Sequence, residues 1–335
     1  MKIKSKAIVP VILLVVVALL PAVVKSPYLI QIAVLMLIYG FFASSWNLIG
    51  GYAGQFALGN GVYIGIGGYF TAMLFQEFGV SPWIGIFVGA VFSAIVAFLI
   101  GKLCFRLSGT YFSLATVAFL HMFRYMIVAK EKFLGLPTNG GMGYILKWVG
   151  GFENMQLSKI GFFYLFLVLL VIAVGISAWI KNHRIGYYLT AIKTNQGAAG
   201  TIGVNVIKYK LIVQCLSAAL LAIGGGVYAF YMNSVDPMTV LGYAMSLKLM
   251  MYTVVGGLGT VWGPVVGAAL LTGLNEFVRV EVGASLAPLA LVCYGVILIV
   301  IVRFAPNGIV GMFSDLIRKI KSKLNSKKEV AVDHE

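Results

Sequence analysis

Apolar runs of about 20 residues recur along nearly the whole chain, at approximately 7–24, 28–50, 53–75, 83–101, 110–128, 160–180, 209–232, 239–257, 260–279 and 284–303. Hydrocarbon offers no water to an unpaired backbone N–H or C=O, so runs of this length cross a bilayer about 30 Å thick as helices. The pattern predicts an all-α, polytopic membrane protein with about ten transmembrane helices. Only 10% of the 335 residues are charged and 61% are hydrophobic, against roughly 25% charged in a soluble domain. A water-soluble fold is excluded. The least regular runs are the third, which carries Gly54, Gly59, Gly61, Gly65, Gly67 and Gly68, and the eighth, parted from the ninth only by Gly256-Gly257-Leu258-Gly259-Thr260.

The formal charge of +15 fits nucleic acid, an anionic membrane surface or orientation signals, and the apolar runs decide for the membrane. Cytoplasmic loops retain Lys and Arg. With the N-terminus inside, seventeen of the basic residues fall on the cytoplasmic side, in segments around Lys2–Lys6, Lys102–Arg106, 181–210 and from Arg303 onward, and seven on the other. Both termini are therefore expected in the cytoplasm. Lys2, Lys4 and Lys6 ahead of the first run also resemble a secretory leader, but no A-x-A-type site follows, so an uncleaved anchor is expected. The division is a transmembrane domain over 1–311 and a basic tail over 312–335. That tail suits lipid headgroups rather than nucleic acid because it adjoins a span.

Chemistry is conspicuous by what is missing. Cys104, Cys215 and Cys293 form no C-x-x-C pair, and His121, His183 and His334 belong to no ligand cluster, so no metal site is expected. No G-x-x-x-x-G-K-[ST] loop occurs, so the chain does not bind ATP by that route. Asp236, Glu77, Glu131, Glu153, Glu276 and Glu281 are placed in external loops or at span ends, the other acids in the tail. That distribution weakens ion coupling through a mid-membrane carboxylate, and no nucleophile with a base suggests an enzyme.

Two features are open to a functional reading. The stretch Gly50-Gly51-Tyr52-Ala53-Gly54-Gln55-Phe56-Ala57-Leu58-Gly59-Asn60 either packs helices closely or forms a discontinuous helix lining a pathway, with Asn47, Gln55 and Asn60 pointing inward. Lys248 is the one charge well inside a span; it either snorkels to an interface or serves as a helix tether or cavity residue.

Five stretches together resemble the permease subunits of ABC-type high-affinity branched-chain amino-acid importers: Gly50 to Gln55 with Leu58-Gly59, Gly109 to Thr116, Ala191 to Asn205, Gly256 to Pro264, and Pro306 to Gly311. The resemblance implies a second, homologous permease, two cytoplasmic ATPase subunits that bind the ATP, and an extracytoplasmic solute-binding protein. It implies no cofactor on this chain and no catalytic residue. It also implies an ATPase-coupling loop at about 181–208, with Gln196, Gly197, Ala198, Ala199 and Gly203 at the contact. Gly51, Gly54, Gln55, Asn60, Gly257 and Gly259 are assigned, with Asn47 and Lys248, to the pathway or its hinges. The family often has a charged residue just before the alanine pair, where Gln196 and Gly197 stand here. Gly200 further lowers helix propensity by up to ~1 kcal/mol relative to Ala. The alternative function is an ion-coupled secondary transporter of a small solute.

Overall fold

A computed structural model describes residues 17–24, 26–107, 109–129, 132–133, 136–147, 149–282, 295–296, 299, 303 and 308–312. Most of the tenth apolar run, nearly all of the basic tail and most of the first run lie outside the described residues, the first run being described as a helical stretch at 17–23. The long helices are α1 (Pro27–Asn47), α2 (Gly61–Phe78), α3 (Pro82–Cys104), α4 (Thr110–Val128), α5 (Lys159–Asn182), α8 (Val206–Met232), α10 (Tyr243–Gly256) and α11 (Gly263–Val282). Between α5 and α8 lie the short helices α6 (Arg184–Thr194) and α7 (Gln196–Thr201), and α9 (Pro237–Val240) precedes α10. Among the described residues six segments are long and apolar enough to cross a bilayer: Pro27–Tyr52, Pro82–Cys104, Thr110–Val128, Lys159–Asn182, Val206–Met232 and Pro237–Gly256. The chain is an all-α polytopic membrane protein.

Two runs depart from continuous helices. The third becomes helical only at Gly61, because α1 ends in a π turn over Leu48–Tyr52 and residues 53–60 are irregular. The eighth is interrupted at Leu241-Gly242, between α9 and α10. Glycine gives up more conformational freedom on entering a helix than any other residue; at the first break Gly54 takes left-handed backbone (φ +67°), and at the second Gly242 is extended (φ −74°, ψ 137°).

Helix α8 is the central mast, packed along α3 and α2, while α1 packs against α11, α5 and α10. The α2–α8 contact brings backbones together. A methyl on Gly225 would run into the Ile64 carbonyl, and one on Gly67 into that of Ala222. This is the small-residue packing by which helices associate in lipid. Side-chain hydroxyls lock neighbouring helices: Ser217 Oγ on α8 donates to the Ser45 carbonyl of α1 at 2.7 Å, Ser93 Oγ of α3 to Ala218 on α8 at 3.1 Å, and Thr253 Oγ1 of α10 to Ala43 of α1 at 3.1 Å.

The connections sort to two ends. At one, α6 and the turns at 48–60 and 257–262 converge, and Gly308 lies on Gly257. At the other, β3 (Tyr144–Ile145) pairs antiparallel with β4 (Ser234–Val235), and the α2–α3 turn meets the same loop through Gln76 Nε2 to Ile145 O (2.6 Å) and Trp83 Nε1 to Phe152 O (2.9 Å). A second antiparallel pair, β1 (Lys132–Phe133) with β2 (Leu136–Pro137), precedes β3 in the long loop.

Gly225→Ala is expected to lower the melting temperature of the detergent-purified protein, since overpacking costs about 1–3 kcal/mol. Gly175→Ala on α5, where an added methyl meets nothing within 4 Å, is expected to leave it unchanged or raise it. Circular-dichroism melts of the two variants check the contrast.

Candidate functional site

The segment between α5 and α8 is shaped by three polar caps. His183 Nδ1 accepts from the Ile185 amide (3.4 Å) to start α6, Asn195 Oδ1 from Ala198 (3.1 Å) to start α7, and Asn205 Oδ1 from Lys208 (3.1 Å) to start α8. Each supplies an acceptor to an amide that the first turn leaves unpaired. Helix α6 buries Gly186, Leu189 and Ile192, one side of the helix. Helix α7 buries only Ala199, at 3% exposure, and leaves Gln196, Gly197 and Ala198 outward, with Gly203 beyond its end. The alanine pair is thus divided: Ala199 faces the chain's own helices and Ala198 faces out. Ile202, 76% exposed, and Tyr187, 70% exposed, stand out as apolar knobs on the same segment. Gln196 is not a free contact residue, because its Oε1 accepts from Lys210 Nζ at 2.7 Å. Lys210 is fully buried at the base of α8, its ammonium 5.7 Å from the centre of the Phe105 ring.

A second cluster lies where α1 ends. Asn47, buried in the last turn, donates from Nδ2 to the Thr260 carbonyl and accepts at Oδ1 from the Gly259 amide, both at 2.9 Å. One side chain thereby clasps the α10–α11 turn onto the end of α1. Gly51 permits the approach, since a methyl there would collide with Asn47 Oδ1 and crowd the Gly259 nitrogen. Gly54 turns the chain with φ +67°, and a methyl on it would come within 2.9 Å of Lys193 Cγ. Lys193 reaches across from α6, and its Nζ donates to the Gly51 carbonyl at 2.9 Å. Partial burial pulls the Lys193 pKa below the ordinary lysine value. Thr260 Oγ1 donates to Gly257 O (2.8 Å) and accepts from the Gly263 amide (3.0 Å), closing this turn and starting α11.

The irregular segment then climbs back into the bundle with its backbone paired. Ala57 O accepts from Trp46 Nε1 (2.8 Å), Phe56 O from Ser113 Oγ (2.7 Å), and Leu58 N donates to Thr116 Oγ1 (3.2 Å). At the start of α2, Gly61 N donates to Ser246 Oγ at 2.8 Å, half-way along the span Pro237–Gly256. The N-terminus of α2 therefore lies level with the middle of that segment. Asn60 precedes it, 1% exposed, with an Nδ2 that has no hydrogen-bond partner. Gln55 is half-buried and makes only a 3.5 Å contact with Ala53 O.

The structure brings Asn47, Gly51, Gly54, Gly257 and Gly259 into one cluster and keeps Asn60 deeper. Lys248 stands apart, exposed on α10, with its ammonium 5.7 Å from the Tyr39 ring centre. Glu276 lies in the last two turns of α11, where it is 8% exposed with its carboxylate 3.5 Å from Arg279. Sequence reasoning missed Lys193 and Ile202. Lys193 gave no local signal, whereas an exposed isoleucine after an alanine–glycine turn was visible in principle.

The family of branched-chain amino acid transport system permease components matches residues 28–302. The chain belongs to this family. It is 25% identical over 324 residues to the high-affinity branched-chain amino acid transport system permease protein LivM of Escherichia coli K12, covering 88% of this chain and 74% of LivM. It is 26% identical over 272 residues to the probable branched-chain amino acid transport permease protein LivH of Methanocaldococcus jannaschii, covering 75% of this chain and 82% of the relative. A shorter likeness, 31% over 109 residues, links 31% of the chain to 34% of the ribose import permease protein RbsC of E. coli K12. No solved structure matches. The protein is accordingly a membrane-embedded permease of the ABC-transporter class.

Asn47→Ala is expected to leave the Gly259 amide and the Thr260 carbonyl without their partner, a loss of about 1–3 kcal/mol. A fall of several degrees in the melting temperature of the purified permease checks it.

Proposed function

We propose that this permease forms one half of the transmembrane pathway of an ATP-driven importer for branched-chain amino acids or a closely related small solute. In this reading it has ten spans with both termini in the cytoplasm. It pairs with a second, homologous permease, two cytoplasmic ATPases supply the motion and hold the ATP, and a binding protein delivers solute from outside. The observation that carries the reading is the 184–203 segment, a capped pair of short helices that projects Ala198 and Ile202 beyond the bundle and ties directly into its inner turns. Two small helices with an outward apolar knob suit a groove on a soluble motor domain.

Sidedness supports the orientation. Lys181, Arg184, Lys193, Lys208 and Lys210 gather at the end that carries the coupling segment, as cytoplasmic loops do. The opposite end has an open cleft of about 1060 Å³ lined by Phe75, Glu77, Asn139, Lys147 and Asn154, a surface suited to a docking protein. Lys248 supports a hydrated pathway. A lysine at the centre of a span costs about 2.5–3.5 kcal/mol against lipid, and Lys248 is exposed near the middle of Pro237–Gly256, which favours a hydrated face over one against acyl chains.

The test is uptake of radiolabelled leucine into proteoliposomes containing both permeases, the ATPases and the binding protein, with and without ATP. ATP-dependent accumulation is expected. Accumulation driven by an ion gradient by the isolated permease would overturn the reading in favour of a secondary transporter. Within the same assay Ile202→Glu is expected to lower uptake at least about tenfold, the effect of a charge placed in an apolar contact, with the melting temperature of the permease alone unchanged.

A further inference from the structure

Lys193 lies outside the coupling helix and outside every span, yet it touches both kinds of element. On its own side it stands in the last turn of α6, and only Thr194 and Asn195 separate it from α7. Asn195 joins the two helices stiffly: its amide donates to the Ala191 carbonyl, its carbonyl accepts from the Ala199 amide, and its side chain caps Ala198. The start of α7 is held as well by the Gln196–Lys210 bond. Displacement of α7 therefore carries the end of α6 with it.

On the far side, the Lys193 ammonium donates to the Gly51 carbonyl at 2.9 Å, in the π turn that ends α1. The last carbonyls of a helix have no partner within it and carry the negative end of its dipole, so a lysine is well matched there. The stem of Lys193 lies across Gly54. Gly51 in turn abuts Gly259, Asn47 fastens Gly259 and Thr260 to α1, and Gly308 seats on Gly257. Four stretches of chain thus meet, in series, within a few residues of one ammonium group. A π turn is one register step from an α turn and marks places where helices give, so this helix end is the two-position element that a push can shift.

We propose that Lys193 is a positioning residue for transport: a strut that carries movement of the 196–203 segment into the paired glycine turns at Gly51 and Gly259, which form the inner gate. The inference rests on the ATP-driven reading above and adds to it the route by which motion reaches the spans. The ammonium contributes as a hydrogen-bond donor of fixed length, so arginine substitutes in part and methionine does not.

The experiment compares wild type, Lys193→Met and Lys193→Arg in the assembled transporter in proteoliposomes, reading leucine uptake and ATP hydrolysis together. K193M is expected to hydrolyse ATP near the wild-type rate while solute moved per ATP falls about tenfold, the scale of one charge-assisted hydrogen bond; K193R is expected to recover most of the ratio. A wild-type ratio in K193M overturns the strut. If K193M fails to assemble, Gly54→Ala, which displaces the Lys193 stem without removing its charge, gives the same measurement with the same two outcomes. A second readout is independent of transport. In nanodiscs containing the permease alone, K193M is expected to speed hydrogen exchange of the amides at 51–60 and 257–260, and unchanged exchange there also overturns the strut. Absence of ATP-driven uptake by the wild type would defeat the importer reading while leaving this exchange test to decide the strut.

Discussion

A helix broken inside lipid has no water to turn to, and every backbone group it releases must find a partner in protein. Residues 53–60 are such a break, and the bundle is arranged around supplying them. Trp46, Ser113, Thr116 and Ser246 serve Ala57, Phe56, Leu58 and Gly61, drawn from α1, α4 and α10, while Lys193 serves Gly51 from outside the spans. The break is thereby both tolerated and positioned. Remove these donors and acceptors, and the segment has no reason to prefer its irregular path over continuing α1.

The two halves of this arrangement differ in stiffness. Between α2 and α8 the contact is backbone against backbone, as at Gly225 and Ile64, and close-packed surfaces of that kind do not deform continuously. At the α1 terminus the ties are single hydrogen bonds through Asn47 and Lys193, each worth on the order of 1 kcal/mol net and up to about 3 where charged. Differential motion therefore concentrates at the 48–60 and 257–262 turns while α2, α3 and α8 move as a block. The helix start at Gly61 sits at the boundary between the stiff part and the yielding part.

Much of this was legible in the sequence, for a physical reason. Apolar run length is set by bilayer thickness, so eight of the ten expected runs correspond to described helices, and glycine marked the break near Gly54 and the turn at Gly257. What stayed hidden were the partners. Ser246 lies 185 positions from Gly61 and Lys193 lies 142 from Gly51, and no periodicity encodes a meeting across that separation. Burial was hidden too: Ala199 reads like Ala198 in the sequence yet turns inward, and no pattern marks Glu276 as enclosed. The interruption at Leu241-Gly242 escaped because a single glycine inside an apolar run is common in membrane helices.

Helix α7 has six residues, two of them glycine, far too short to persist on its own. Its order is borrowed from the Asn195 cap, the Lys210–Gln196 bond and the inward Ala199. This alters the meaning of the uncharged Gln196. A glutamate there would pair with the buried Lys210 and fix α7 more firmly to α8, whereas the neutral amide holds Lys210 by one hydrogen bond, with no carboxylate paired to it among the described residues. The anchoring to α8 is weakened relative to the continuous link through Asn195 to α6. A load applied at Ala198 and Ile202 is then taken up preferentially along α6, the helix whose far end holds the glycine turns.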